Sequence, residues 1–364
     1  MNMIDSFIIR NFKNIENLVI PKLARVNLIV GKNSVGKSTL LEALTIFLSQ
    51  GDEYTLKEIL AGRGENIKQH RQDSDFATIA KDHYLSLFKD WEENYSNSFF
   101  ILVGESENNA VKLNQVFIQE YRDDEDYVVR KVFNQEDLTG DELSQSALKH
   151  GLSVLYNNGK MRILSYDRAG LLPVTNGKQK YQIVHTLDFD SNMNAQLFDR
   201  VSLSSEEQYI IQALNIINPD IDRISFVSEG SSERVRIPVV SLKSNGRRVR
   251  LSTMGDGINR ILTIILSLLN AKDGVLLLDE FETGLHYSVQ KQLWEIVFML
   301  AQELNTQVFV TSHSSDCLHS FAQVNVNGEG MLIRLENRQK GIFPVCYFDN
   351  NDIAFAADND IELR

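Results

Sequence analysis

A chain of 364 residues is long enough to bury one large domain with an insertion, or two domains. Its hydrophobic share of 43% and charged share of 24%, with few Pro and Gly, exclude a low-complexity or fibrous protein. The net charge of -12 argues against a protein that coats nucleic acid nonspecifically, since such binding needs clustered Lys and Arg, but it leaves room for a local basic groove.

Two sequence features bear on the protein's location. The longest apolar runs, such as residues 261–269, are too short to cross a bilayer, and the N-terminus lacks the basic and apolar segments of a signal peptide. Cys317 and Cys346 have no metal-ligand spacing, so we expect two reduced thiols rather than a disulfide or a zinc site. These features predict a cytoplasmic protein without a membrane partner.

The N-terminal segment is predicted to form a hairpin, a strand and a helix. Residues 3–23 alternate apolar and polar side chains around residues 11–14, which predicts a β-hairpin or two edge strands. The apolar, β-branched segment Val26–Val30 predicts a buried strand. Residues 38–49 carry Leu and Phe at helical spacing, and Gly51 is the predicted stop of that helix.

Residues 52–160 are more charged and carry no strong motif. Helix-like residues 76–91 and strand-like residues 99–103 and 111–121 predict an inserted α/β subdomain that offers a partner or regulatory surface. From about residue 200 onward helices and strands alternate, which predicts an α/β sheet. The predicted division is an N-terminal lobe at 1–51, the insertion at 52–160 and a C-terminal lobe at 161–364.

Two short charge clusters have an ordinary interpretation. Residues 123–126 are all acidic, but between two strand-like segments they are more typical of a solvated turn than of a metal site. The basic residues Arg247, Arg248 and Arg250, with Lys243 nearby, fit either a nucleic-acid contact or a strand with a solvated face. The solvated strand is the commoner case.

A phosphate-binding loop lies between the predicted strand and helix. The segment from Gly31 to Ser38 fits the pattern G-x-x-x-x-G-K-[ST], whose backbone N–H groups face phosphates. We expect Lys37 to neutralise the β- and γ-phosphates of ATP and the Ser38 hydroxyl to coordinate Mg²⁺. The predicted nucleotide contacts are Gly31, Asn33, Ser34, Val35, Gly36, Lys37, Ser38 and Thr39.

A second half of the site is predicted at residues 274–280, an apolar strand that ends in two acids. Asp279 is expected to hold Mg²⁺ through water, and Glu280 to polarise the attacking water as general base. An apolar run followed by Asp-Glu is common at ordinary strand ends. Together with the loop at Gly31, it indicates nucleotide hydrolysis.

A histidine follows a further strand. Residues 307–310, three apolar residues after Gln307, predict a strand that leads to His313, which could hydrogen-bond the γ-phosphate or the attacking water. A lone His is more often a satisfied core residue. Here the position favours a catalytic role, because the carboxyl end of a strand beside the acidic strand is where such sheets hold ligands.

A glycine-rich helix start lies before the acidic strand. Ser252, Gly255 and Gly257 precede or begin an apolar helix, and such a start with free N–H groups forms an anion site. The loop at Gly31 already supplies one phosphate site. A second one has a use if it meets the nucleotide of a neighbouring subunit, which predicts a homodimer or higher homo-oligomer with composite sites.

This ordered set resembles the ABC-type ATPase heads of the structural-maintenance-of-chromosomes, RecF and OLD nuclease kinds. Their Walker A, signature, Walker B and switch-histidine segments are similar to 31–39, 252–257, 276–280 and 313, and their first strand and D-loop to 9–13 and 282–286. The likeness is closest to compact bacterial OLD-like ATPases, many of them antiphage-defence components, in which segments like 165–170 and 360–364 also recur. It implies a P-loop NTPase of the ABC-type head class, an α/β fold with an N-terminal antiparallel β element and an inserted α/β subdomain.

Three departures limit the resemblance, which covers about residues 1–50 and 160–364. The signature differs from Leu-Ser-Gly-Gly-Gln, so either Ser252 or the pair Gly255 and Gly257 faces the γ-phosphate, and no glutamine-loop residue can be assigned. Coiled-coil heptads are absent, and some fifty residues after His313 leave no room for a Toprim nuclease domain. The acids of the last segment therefore predict a solvated tail or partner surface: Asp349, Asp352, Asp358 and Asp360.

The resemblance implies a switch ATPase whose dimer controls a separately encoded effector, such as a nuclease, during phage defence. The alternative is a RecF-type DNA-repair ATPase that binds DNA directly through Arg247, Arg248 and Arg250. A third class, the nucleotide-binding subunit of a transporter, needs a membrane partner. The large polar insertion and the form of the first strand argue against it.

Overall fold

The computed structural model describes residues 3–61, 82–89, 100–134, 148–156, 159–165, 180–186, 191–228, 235–325, 328–338, 341–347 and 352–353. The strands are β1 Phe7–Phe12, β2 Ile15–Ile20, β3 Val26–Val30, β4 Phe100–Ser106, β5 Asn109–Arg122, β6 Val128–Asn134, β7 Leu148–Tyr156, β8 Lys160–Ser165, β9 Tyr181–Val184, β10 Ile221–Ser228, β11 Arg236–Leu242, β12 Arg248–Arg250, β13 Val275–Leu278, β14 Gln307–Ser312, β15 Gly330–Arg338 and β16 Gly341–Tyr347. The helices are α1 Lys37–Ser49, α2 Glu53–Ala61, α3 Ser191–Val201, α4 Glu207–Leu214, α5 Asp256–Asn270, α6 Tyr287–Glu303 and α7 Ser315–Val324, and a 3₁₀ helix covers Leu251–Met254.

The central sheet has the strand order β16-β15-β3-β14-β13-β9. The pairs from β15 to β9 are parallel, and β16 is antiparallel to β15. Strands β3, β13 and β14 are buried along their whole length, as expected of parallel strands covered on both faces. Their side chains alternate between two separate cores.

One face of the central sheet carries the helical core, formed with α3 to α7. Helix α5 lies at its centre, and every residue from Arg260 to Asn270 is buried. A helix that is apolar nearly all round must be covered on all sides. Helices α3, α4 and α6 and strand β9 provide that cover.

The other face carries the α1 core, in which α1 packs between the central sheet and an antiparallel sheet. Within the described residues this second sheet has seven strands, in the order β2-β1-β4-β5-β7-β8, with β6 also paired to β5. Strands from the predicted insertion thus continue the N-terminal hairpin, and β8 extends to Ser165. The division into three regions stays a prediction.

The structure confirms several local predictions. The hairpin of β1 and β2 pairs antiparallel, β3 leads into α1, and the helix ends at Gln50 and Gly51, both in the left-handed region. The acidic residues 123–126 form an exposed turn between β5 and β6. Residues Arg248–Arg250 form a short strand with both arginines exposed.

Other predictions fall wholly or partly outside the described residues. These are the segments 165–170 and 360–364, half of the helix-like 76–91, and three of the acids at the chain end, Asp349, Asp358 and Asp360. Asp352 is described and is exposed. Cys317 is buried and free, and burial raises the pKa of its thiol. None of the described helices has the length and hydropathy needed to span a bilayer.

Candidate functional site

The site forms where β3, β14 and β13 end side by side. Gly31 follows β3, His313 follows β14, and Asp279 follows β13. The carboxyl ends of neighbouring parallel strands are where open α/β sheets bind ligands, because the chain leaves the sheet there in loops. The three segments predicted separately from the sequence therefore share one edge of the sheet.

The loop between β3 and α1 has the backbone of a phosphate-binding loop. Gly31 has φ 148°, and a Cβ there would lie 2.7 Å from the Leu335 carbonyl oxygen, so only glycine fits. Gly36 caps α1 with φ 106°, and Ser34 also adopts a positive φ of 61°. Asn33 and Ser34 are exposed, whereas Val35 is buried in the α1 core and anchors the loop. Thr39, in the first turn of α1, is buried as well.

The Lys37 ammonium lies inside this loop. Its Nζ donates to the carbonyl oxygens of Gly31, at 2.7 Å, and of Lys32, at 3.0 Å. Burial lowers the pKa of Lys37, and the carboxylates of Glu282, Asp279 and Glu280 oppose that shift. A cation in this position, at a helix N-terminus, suits the binding of nucleotide phosphates. Phosphate oxygens would be stronger hydrogen-bond acceptors for the Lys37 ammonium than the main-chain oxygens that it contacts here.

The two predicted magnesium ligands meet. Ser38 Oγ lies 3.3 Å from Asp279 Oδ1 and 3.2 Å from Oδ2. Mg²⁺ prefers oxygen ligands and keeps several waters, so one hydroxyl and one carboxylate, completed by phosphate oxygens, form a suitable set. In the described part of the chain no cluster of three or more His, Cys, Asp or Glu is arranged to hold a metal without a nucleotide.

Thr311 links the two acids of the Walker B segment. Its Oγ1 donates to Asp279 Oδ1 at 2.5 Å and accepts from the Glu280 backbone N–H at 2.9 Å. Glu280 adopts φ 51°, an uncommon backbone conformation for a non-glycine residue. Thr283 Oγ1 donates to Glu280 Oε2 at 3.0 Å. Glu280 is therefore held by hydrogen bonds to both its backbone N–H and its side-chain carboxylate.

A buried arginine supports the same segment from below. Arg260, in the second turn of α5, has no solvent exposure. Its Nη2 donates to the carbonyl oxygens of Asp279, at 2.7 Å, and Glu280, at 2.8 Å, and its Nη1 donates to that of His185 at 3.1 Å. Helix α5 thereby fixes the ends of β13 and β9.

His313 pairs with a third carboxylate. Its Nδ1 lies 2.8 Å from Glu282 Oε1, and its backbone N–H donates to the same oxygen at 2.9 Å. Between the two glutamates, Phe281 is buried and stacks on Trp294 with ring centroids 4.1 Å apart. This anchor holds the loop that carries Glu280 and Glu282.

The signature segment lies elsewhere on the surface. Ser252 and Gly255 are exposed, and among the described residues no hydrogen bond joins them to the phosphate-binding loop. Gly257 contacts the D-loop, since a Cβ there would lie 2.8 Å from the Gly284 carbonyl oxygen. The chain therefore brings together Walker A, Walker B and His313, but leaves Ser252 and Gly255 facing outward.

Sequence reasoning missed Thr311, Arg260 and Glu282 as site residues. Their contacts are made across the sheet and carry no local motif. One signal was present for Arg260, because a charged residue within the apolar stretch that becomes α5 requires buried partners. The other two stand beside His313 and Glu280, in segments already assigned to the site.

The fold is similar to a solved SMC head bound to the C-winged helix domain of ScpA, with TM-score 0.52 and 11% identity. The alignment covers 96% of this chain and 98% of that one. Fold and loop together define an ABC-type ATPase head, a class of P-loop nucleotide-binding proteins. The chain belongs to the AAA ATPase domain family, whose model matches residues 3–318.

Two curated proteins are similar in sequence. A Helicobacter pylori protein described as an ATP/GTP phosphatase is 24% identical over 377 residues, which cover 96% of each chain. An uncharacterized protein of Methanocaldococcus jannaschii is 42% identical over 67 residues, 17% of this chain and 31% of that one. Membership of an ATPase family agrees with the nucleotide chemistry predicted from the loop and the acidic strand.

Proposed function

We propose that this ATPase is a magnesium-dependent switch whose dimer opens and closes with ATP hydrolysis. The observation that carries the proposal is the meeting of Ser38 and Asp279 at 3.2 to 3.3 Å, next to Glu280. It supplies a metal site and a base at the carboxyl edge of the sheet. Mg²⁺ held there supplies positive charge against the charge that develops on the transferred phosphate.

Each residue of the site has a proposed task in hydrolysis. The loop N–H groups and Lys37 bind the phosphates and stabilise their negative charge. Glu280, fixed by Thr311 and Thr283, accepts a proton from the attacking water. His313 contacts the γ-phosphate or that water. The water oxygen bonds to the γ-phosphorus as the bond from that phosphorus to the β,γ-bridging oxygen breaks; the proton on Glu280 passes to the phosphate product, and phosphate and ADP leave.

The dimer follows from the outward position of the signature segment. Ser252, Gly255 and Gly257 lie at the start of α5, where helix N–H groups favour an anion. In the proposed dimer they bind the γ-phosphate held by the other subunit, so that ATP joins the two heads and hydrolysis releases them. Either a dimer or a higher assembly built from such dimers fits this scheme.

The output of the switch is a separately encoded effector, such as a nuclease, in antiphage defence. This part rests on the resemblance to OLD-like ATPases. The strands β4 to β7 offer a surface for that effector. Copurification from the native host identifies it, and recovery of the chain without an effector argues against this output.

Glu280→Gln tests the hydrolytic assignment. The amide keeps the shape and the Thr283 contact but cannot accept a proton, so we expect turnover to fall at least about 100-fold with ATP binding retained. Glu295→Gln, an exposed glutamate on α6, is the matched control. Light scattering is expected to detect an ATP-dependent dimer that persists in Glu280→Gln. Wild-type turnover in Glu280→Gln would contradict the proposed hydrolytic site.

A second candidate, direct DNA binding of the RecF type, has one favourable observation. Arg247, Arg248 and Arg250 are exposed around β12, next to the signature segment. DNA that stimulates turnover and binds less tightly as salt is raised supports it, and neutralising the three arginines should then abolish both effects. The net charge of -12 favours the effector switch instead.

A further inference from the structure

The D-loop begins with a carboxylate that has no place in the proposed hydrolysis steps. Glu282 lies two residues after Glu280, and its side chain is 11% exposed, against 46% for His313. Its Oε1 is 2.8 Å from His313 Nδ1 and accepts the His313 backbone N–H at 2.9 Å. A carboxylate oxygen only accepts, so Nδ1 must carry the proton of this contact.

We propose that Glu282 is the positioning residue of His313, an inference that rests on the proposed function. The imidazole follows the end of β14 and is nearly half exposed, so without a partner its ring would turn among several rotamers. Two hydrogen bonds to one oxygen fix the backbone and the ring together. They assign the proton to Nδ1 and leave Nε2 as the nitrogen that meets the nucleotide.

The surroundings of Glu282 connect it to the phosphate site. It follows Phe281, whose backbone N–H donates to the Thr311 carbonyl oxygen at 3.1 Å, and the Thr311 hydroxyl donates to the Asp279 carboxylate. The stack of Phe281 on Trp294 fixes the backbone from which Glu282 extends.

The environment of the second carboxylate oxygen of Glu282 distinguishes a positioning role from a role as the base that accepts a proton. Glu282 Oε2 is buried and hydrogen-bonds none of the residues that the structure describes. Closed off from solvent, it cannot take a proton from an attacking water. An unsatisfied carboxylate oxygen is costly to bury. Both contacts with His313 are made by Oε1, so the hydrogen bonds of this carboxylate are directed at the histidine.

A double-mutant cycle tests the pair. Glu282→Ala and His313→Ala are each expected to lower kcat about 10- to 100-fold with little change in KM, because a misplaced group loses its contact in the transition state. The double variant should lose no more than His313→Ala alone. Glu282→Gln, whose amide oxygen can accept both hydrogen bonds, should keep kcat within about threefold of the wild type.

Two controls keep the result specific. Glu295→Ala removes an exposed glutamate of α6 and should match the wild type. Nitrogen NMR of the histidine ring, assigned with His313→Gln, reads the proton directly in the folded wild-type protein. A protonated Nδ1 supports the pairing, and an Nδ1 without a proton overturns it even if Glu282→Ala fails to fold.

The outcomes distinguish this inference from the function on which it rests. Full turnover of Glu280→Gln removes the proposed hydrolytic site and the inference with it. If Glu280→Gln is inactive while Glu282→Ala keeps wild-type kcat, only the positioning role fails. It also fails if the losses of Glu282→Ala and His313→Ala multiply in the double variant.

Discussion

A single hydroxyl joins the two acids of the Walker B segment. Thr311 donates to the Asp279 carboxylate and accepts from the Glu280 N–H, so one buried side chain contacts both the proposed metal ligand and the proposed base. The left-handed φ of Glu280 costs conformational energy, which these contacts must offset. The positions of Asp279 and Glu280 therefore depend on Thr311, a residue outside the sequence motifs.

Thr311→Val should lower the free energy of unfolding by about 1 to 3 kcal/mol, since valine keeps the shape but leaves the Glu280 N–H unsatisfied. Turnover should fall as well, because the Asp279 carboxylate loses the hydrogen bond from the Thr311 hydroxyl. Urea denaturation followed by circular dichroism measures the stability. Thr311→Ser keeps the hydroxyl and serves as control; equal losses for Val and Ser would contradict the role of the hydroxyl.

Ser38→Ala should raise the Mg²⁺ concentration needed for half-maximal turnover by about 10- to 100-fold, because one oxygen ligand is lost. Nucleotide binding measured in EDTA should change little, since the loop N–H groups and Lys37 remain. Titration of the metal at saturating ATP checks this. The exposed Ser205→Ala is the control, and an unchanged metal requirement in Ser38→Ala argues against the ligand assignment.

At the residue scale the sequence predicted what is contiguous. The loop from Gly31 to Ser38 and the acids at 279 and 280 could be predicted because their chemistry requires fixed spacing along one segment. Thr311, Arg260 and Glu282 were missed because their contacts form only when strands and helix meet. No periodicity encodes which carbonyl a buried guanidinium will bind.

Helix α5 connects two parts of the proposed cycle. Its first turn carries Gly257, packed against Gly284 of the D-loop, and its second turn carries Arg260, bound to the Asp279 and Glu280 carbonyls. A helix is stiff over this distance. A shift at the signature segment is therefore expected to reach the Walker B end through Arg260 rather than through solvent.

Arg260→Met should lower kcat about 10- to 100-fold at a nearly unchanged nucleotide dissociation constant, since it removes the guanidinium hydrogen bonds to three strand-end carbonyls. Arg260→Lys supplies one cation and should recover part of the loss. The matched control is Arg223→Met, whose side chain is 85% exposed on β10. Lost nucleotide affinity with normal kcat would contradict a positioning role for Arg260.

Elements differ in how far the sequence determines them. Strands β3, β13 and β14 were predictable because they are continuous apolar runs beside motifs. The short β9 and the pairing of β4 with β1 were not predicted, since strand partners far apart in sequence are set by tertiary packing. The insertion illustrates this limit, because its strands were expected but their place in the hairpin's sheet was not.

The whole chain holds half of each proposed site, and a mixing experiment tests this. The variant Lys37→Ala lacks the cation proposed to bind the phosphates. The double variant Ser252→Ala/Gly255→Ala lacks the proposed contact of the signature segment with the γ-phosphate. Each alone should be nearly inactive. An equal mixture should recover up to about a quarter of wild-type turnover, because half of the randomly formed dimers are mixed and each contains one intact site. Turnover equal to the sum of the separate variants would argue against composite sites.

The division of the molecule into two cores has a consequence for its cooperativity. Val35 and α1 pack in the α1 core, whereas α5, Phe281 and Trp294 pack in the helical core. A nucleotide bound as proposed would contact loops rooted in both cores and so act as a cross-link between them. Amide hydrogen exchange should therefore slow in both cores together when ATP binds, and diverge between them once it has been hydrolysed.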